Sequence, residues 1–296
     1  MRDEVARDGA VPDGAVRDEP DEAVPDEAGG GRMTTDVAPN RRVARRAARR
    51  QGLAWGAVGV LGEVLLTVGV LLLGFLAWQL WWTDVQGNAG QARVVQSLAW
   101  ATPVPTSAPS AAAGATAVAG PKVATPRHDD PPVLAEPGHA TTFATLQVPR
   151  WAGEPERPIS EGTDRATVLD VLGIGHYQGT AMPGAVGNFA VAGHRTTFGK
   201  PFNRIAELQV GDALVVRTKD AWYVYKVAST EIVYPNQTEV IAPVPDKPGA
   251  TPTARSITMT TCTPMYSAAQ RYVVHGVLDY WAPASDGVPA ELLGSA

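Results

Sequence analysis

Apolar residues in this 296-residue chain fall into one long block near its beginning and into short alternating runs over its second half. The block extends from Leu53 to Trp82, and no charged residue interrupts it from Val64 to Trp82. That stretch is close to the ~20 residues a helix needs to cross a bilayer. Gln91 to Ala101 keeps a weak helical period and continues the helix outward. From Thr102 to His139 the pattern disappears into Pro, Ala, Thr and Ser, the composition of a semi-extended spacer. Such a spacer would hold a domain beyond it away from the bilayer.

From Thr141 to Trp281 the pattern becomes short β-prone runs separated by turn residues. Strands are predicted at Phe143–Val148, Asn188–Ala192, Ala213–Thr218, Trp222–Val233, Arg255–Thr261 and Gln270–Trp281. Lys219, Asp220 and Ala221 read as a hairpin turn. Short helices are predicted only around Ala166–Leu172 and Phe202–Ala206. The chain is therefore expected to be mainly β, a small closed or nearly closed barrel preceded by a transmembrane helix. The expected division is a disordered tail with a basic run (1–52), an anchor (53–82), a spacer (83–140), a compact domain (141–282) and a frayed tail (283–296).

Charge sharpens the orientation. The net charge is only −5, but acidic residues crowd Asp3 to Glu27 while arginines crowd Arg41 to Arg50, just before the apolar block. An acidic, Pro- and Gly-rich segment such as 1–40 buries too little apolar surface to offset its ordering entropy. Beside a membrane span the arginines read as an orientation signal, with no nucleic-acid partner expected. The N-terminus is then cytoplasmic and the domain extracellular. Glu63 falls at the cytoplasmic end of the uninterrupted span, and Trp78, Trp81 and Trp82 at the headgroup level on the other side. Ala99-Trp100-Ala101 has the form of a signal-peptidase site, but it stands well beyond the apolar block, so an uncleaved anchor is expected.

Candidate chemistry begins with Cys262, the one cysteine. Outside a cell it has no disulfide partner within the chain, which leaves an inert core thiol or a reactive one. Alternation puts Thr258, Thr260 and Cys262 on one strand face and Ile257, Met259 and Thr261 on the other. Pro264 stops the strand, so Cys262 is at its end. Arg271 begins the next strand, and hairpin pairing would set it beside Cys262, where a guanidinium favours thiolate. Of the histidines, His128 and His139 fall in the spacer, His275 follows Arg271 on the same face, and His176 is in a Gly-rich loop. His194 ends a strand after Gly193 and is the strongest candidate base.

The run from Gly187 to Arg195, the run from Thr258 through Cys262, and Arg271 together resemble the His, TLxTC and Arg motifs of sortases. Leu208 to Val215 resembles the segment between them. The Gly-His-Tyr stretch at His176, the Gly-His-Arg-Thr-Thr-Phe stretch at His194, the Cys262-Thr263-Pro264 continuation and Gln79 to Asp84 are most similar to actinobacterial class E sortases. The resemblance implies a cysteine transpeptidase with Cys262 as nucleophile, His194 as general acid and base, and Arg271 positioning substrate and oxyanion. It implies that Thr261 helps hold the sorting signal or oxyanion. Met259 replaces the usual Leu, a volume-conserving change on the opposite strand face.

The implied partners are exported proteins with a C-terminal LAxTG- or LPxTG-like signal, and an amine of peptidoglycan or its precursor. Water as acceptor would give hydrolysis, and membrane lipid is met through the single helix. The sequence offers no metal cluster or nucleotide loop, so no cofactor is expected. An L,D-transpeptidase is a rival, but its Ser-His-Gly-x-x-x-Cys pattern is missing here. A tethered binding module with an inert cysteine is the other.

Overall fold

A computed structural model describes residues 41–101 and 121–294. The acidic tail at 1–40 and the middle of the Pro-rich spacer fall outside the described residues. Helix α1 runs without interruption from Arg41 to Ser97. Its most apolar 18-residue window has a mean hydropathy of 2.4 and none of it is buried in the protein. Leu53, Leu61, Leu65, Leu72 and Phe75 are all exposed. This helix, left uncovered over its apolar stretch by the other described residues, is long and apolar enough to cross a membrane.

Eight strands close into a barrel in the order β1-β2-β3-β4-β7-β8-β6-β5. They are β1 Thr142–Gln147, β2 Arg157–Glu161, β3 Ile174–His176, β4 Gly187–Ala192, β5 Ala213–Thr218, β6 Ala221–Val233, β7 Arg255–Thr263 and β8 Gln270–Pro283. β2 with β3 and β4 with β7 are parallel, and the other pairs are antiparallel. Inside, Leu146, Ile159, Ile174, Phe189, Leu214, Ile257 and Met259 form one core. Met259 is fully buried, and such side chains contribute about 1.5–3 kcal/mol each. Its flexible thioether fills the interior position that alternation assigned to it.

β2 and β3 were not among the predicted strands. β2 carries Pro158, which cannot donate to a ladder and demotes a run on sequence grounds, and β3 has only three residues. Both are buried along their whole length, so tertiary pairing overrides weak propensity. The predicted helix near Ala166 is a single π-turn, Arg165–Leu169, capped where Asp164 Oδ1 accepts from the Thr167 N–H at 2.9 Å. The one near Phe202 shrinks to a 3-10 turn at Ile205–Glu207.

Two regions expected to be loose are docked. Residues 121–140 form a strap along the barrel: Val123 bridges Val288, Arg127 pairs with Trp281, and the Tyr223 hydroxyl donates to the Pro132 carbonyl at 2.6 Å. Beyond Pro283 the chain is not frayed through residue 294. The short helix α2, Ala290–Leu293, lays Leu292 on the outer cluster around Trp222, and Lys226 pairs with Glu291 at 3.0 Å. A polar, Pro-rich composition suggested freedom, but the strap and tail find backbone partners in each other.

Candidate active site

Strand β7 delivers the cysteine. Ile257 and Met259 point inward, so Thr258, Thr260 and Cys262 point outward, and the half-buried thiol stands one residue before the strand's end. β7 and β8 pair in the register Thr258 with His275, Thr260 with Val273, and Cys262 with Arg271. The hairpin expected from the sequence is therefore present, with the guanidinium-bearing residue directly across from the thiol. Arg271 Nη1 donates to the carbonyls of Ala268 at 3.1 Å and Gln270 at 3.0 Å, which holds the side chain over the hairpin loop.

Strand β4 delivers the histidine. It runs parallel to β7, pairing Ala192 with Thr260, and the Gly193 N–H bonds to the Thr260 carbonyl at 3.2 Å. His194 follows directly. A Cβ on Gly193 would press on the Phe202 ring, so the residue before the histidine has to be small. Cys262, His194, Arg271, Thr261 and Tyr177 all line one cavity of about 730 Å³. The Thr261 hydroxyl donates to the Gly193 carbonyl at 2.7 Å, linking β7 to the backbone that carries His194.

Two residues to which the sequence assigned no role complete the setting. Asp170, just past the π-turn, accepts from His194 Nε2 at 2.6 Å. A neutral ring with its proton on Nε2 leaves Nδ1 as the basic atom. Arg195 is buried; its Nη1 donates to Thr263 Oγ1 at 2.6 Å and reaches the Cys262 carbonyl at 3.4 Å, while its guanidinium lies 5.6 Å from the Tyr272 ring. It fixes the strand end that bears the thiol. Neither partnership is local in sequence, so no spacing could announce it.

The other histidines are engaged elsewhere. His176 is wholly buried, with Nδ1 2.7 Å from Glu161 Oε2. Burial pushes the Glu161 carboxyl upward, and the adjacent ring only partly offsets this. His275 has Nδ1 2.9 Å from Thr258 Oγ1 and Nε2 2.9 Å from Glu231 Oε1. The carboxylate of Asp246 is 3.8 Å from the same Nε2. His128 contacts the Asp279 carbonyl and His139 contacts Thr167.

The foot of α1 also reaches this region. Gln91 is buried and its Nε2 donates to the Phe198 carbonyl at 2.9 Å. Asp84 pairs with Lys200 at 2.8 Å. The Phe198 ring stands 5.1 Å from the His194 ring.

The chain is similar to known proteins in sequence and fold. The sortase domain family matches residues 146–279. Sortase SrtE1 of Streptomyces coelicolor is 37% identical over 86% of this chain, which spans 65% of that protein's length. Sortase SrtE2 of the same organism is 31% identical over 79% of this chain and 87% of its own. The solved SrtA sortase from Actinomyces oris is 46% identical, with a TM-score of 0.55 over 57% of this chain and 97% of that one.

Proposed function

The chain belongs to the sortase family, a family of transpeptidases, and on that premise we propose that it is a membrane-anchored cysteine transpeptidase acting on C-terminal sorting signals of exported proteins. The observation that carries this reading is the Cys262–Arg271 rung opening into a cavity that His194 also lines. Cys262 Sγ, as thiolate, attacks the Thr carbonyl of the Thr–Gly bond in an LAxTG- or LPxTG-like signal. The C–N bond breaks, His194 gives a proton to the leaving glycine amine, and a thioacyl-enzyme remains. An incoming amine of the peptidoglycan stem or its precursor loses a proton to His194 and forms the new amide, and the thiolate leaves. Water in place of the amine gives hydrolysis.

Arg271 supplies positive charge where negative charge develops, on the thiolate and then on the carbonyl oxygen. Thr261 takes part in holding the signal through the strand it shares with Cys262. Asp170 holds the His194 ring in one tautomer and stabilises the imidazolium. The apolar stretch of α1 would anchor the enzyme, and the arginines at 41–50 support a cytoplasmic N-terminus with the barrel outside. The test is intact-mass analysis of the protein with LAxTG and LPxTG peptides. A thioacyl adduct that disappears in Cys262→Ala is the expected result. Full cleavage by Cys262→Ala would sink the reading.

A further inference from the structure

The loop after His194 has an unusual backbone. Phe198, Gly199 and Lys200 adopt φ values of 53°, 77° and 40°, consecutive left-handed residues of which only one is glycine. Such a conformation is costly and persists only where surrounding structure over-determines it. The foot of α1 is that structure. Gly87 packs its backbone so closely on the Phe198–Gly199 peptide that a Cβ there would overlap it. Gln91 donates to the Phe198 carbonyl at 2.9 Å, and Asp84 pairs with Lys200 at 2.8 Å, so the helix grips the loop at consecutive residues. The grip is anchored to the barrel in turn. Arg157, the first residue of β2, donates to Asn88 Oδ1 at 2.6 Å and to Gln91 Oε1 at 2.8 Å.

The same helix face also meets the other side of the histidine. Gly90 approaches the Val171 carbonyl, and the Gln91 side chain lies against Gly173. Those residues lie one and three positions past Asp170, the partner of His194 Nε2. The segments that carry both supports of the imidazole, the Phe198 ring and the Asp170 carboxylate, therefore meet α1 between Gly87 and Gln91.

We propose that Asp84, Gly87 and Gln91 of α1 are positioning residues for His194, so that the helix carrying the apolar stretch is a working part of the active site and more than a tether. This rests on the role proposed above for His194. Gly87 lies five residues past Trp82, about 7.5 Å along a helix. The grip thus begins next to the aromatic cluster at the end of the apolar run.

The experiment uses the full chain in lipid nanodiscs, with active sites counted by the single-turnover burst of thioacyl adduct on Cys262, which misfolded protein does not form. Steady-state turnover of a sorting peptide is measured for Gln91→Ala, Asp84→Ala, Lys200→Ala and the Asp84→Ala/Lys200→Ala pair. Displacement of a catalytic group by about 1 Å costs up to ~100-fold in rate, so kcat per active site should fall about tenfold in Gln91→Ala with KM nearly unchanged. Asp84→Ala and Lys200→Ala should each lower kcat about threefold, and the pair should be no worse than either alone, as expected for coupled partners. Unchanged kcat per active site in all the single variants would overturn the proposal. Additive losses in the pair would remove the Asp84–Lys200 clamp from it. A parent chain with no Cys262-dependent turnover would instead condemn the functional reading, which keeps the two failures apart.

Discussion

His194 and His275 occupy comparable positions and have opposite surroundings. Each is close to the β7 strand, each has a carboxylate on Nε2, and His275 is across from Thr258 on the same strand that bears Cys262. His275 has both ring nitrogens engaged, by Thr258 and Glu231, and lies beneath the β6–β7 connection, whose Val240 packs on Val233 and Val273. His194 has Asp170 on Nε2, no hydrogen bond to Nδ1 among the described residues, and a cavity before it. A histidine with both ring atoms occupied holds a structure together, whereas one with a free basic atom facing a cavity is able to move protons.

Replacing the two histidines tests that contrast most directly. His194→Ala should lower kcat/KM by about 10³-fold or more, in line with loss of a general acid–base group, while His275→Ala should retain activity within about threefold. Peptide turnover by both variants decides it, and the reverse ranking would exchange their roles. Arg271→Ala should cost about 10²-fold, the scale of losing one group that stabilises developing charge, and Arg271→Lys should recover little because a point charge does not reproduce the fork.

Asp170→Asn examines the carboxylate on the cavity side. It keeps the shape and removes the negative charge beside the ring, so about a tenfold loss in kcat is expected. A kcat equal to the parent's would make Asp170 a bystander. On the structural side, His275→Ala should lower stability by about 1–3 kcal/mol, because Thr258 and Glu231 lose a partner in a protected place. Denaturant unfolding measures it.

The smallest effect concerns Asp246. Burial, and then the charge of Glu231, raise its carboxyl above the ordinary value. A raised folded-state value favours folding below the unfolded-state pKa, and this contribution is lost as pH rises through the folded one. The charged form is therefore a cost at neutral pH. Asp246→Asn should raise Tm slightly at pH 7 and leave it unchanged near pH 3, and asparagine also suits the φ of 61° there. A gain of equal size at both pH values would remove charge as the cause.

What could be read in advance obeyed short-range rules. Alternation along Arg255 to Cys262 and the brief hairpin loop sufficed to set Arg271 across from the thiol, because strand period and register leave few choices. The closed barrel was legible for the same reason, from strands of ordinary length and composition. β2 and β3 were not, since Pro158 and a three-residue strand give almost no local signal. Asp170, Arg195 and Gln91 were illegible for a different reason. Their partners, His194, Thr263 and Phe198, are 24, 68 and 107 residues away in sequence, and only folding makes them neighbours. The spacer and tail misled by composition, which reports what a segment cannot bury alone and is silent about a groove waiting for it.

The pairing of Val123 with Val288 has a consequence for the order in which the molecule is made. The strap is synthesised before every strand and its partner after every strand, while β8 slots between β7 and β6 rather than at an edge. The cylinder therefore stays unzipped until the ribosome has supplied the end of β8, and only then does Val288 arrive to pair with the strap. A chain that emerges in that order can begin pairing β1 with β2 early, but it cannot close around its core until the last strand has emerged.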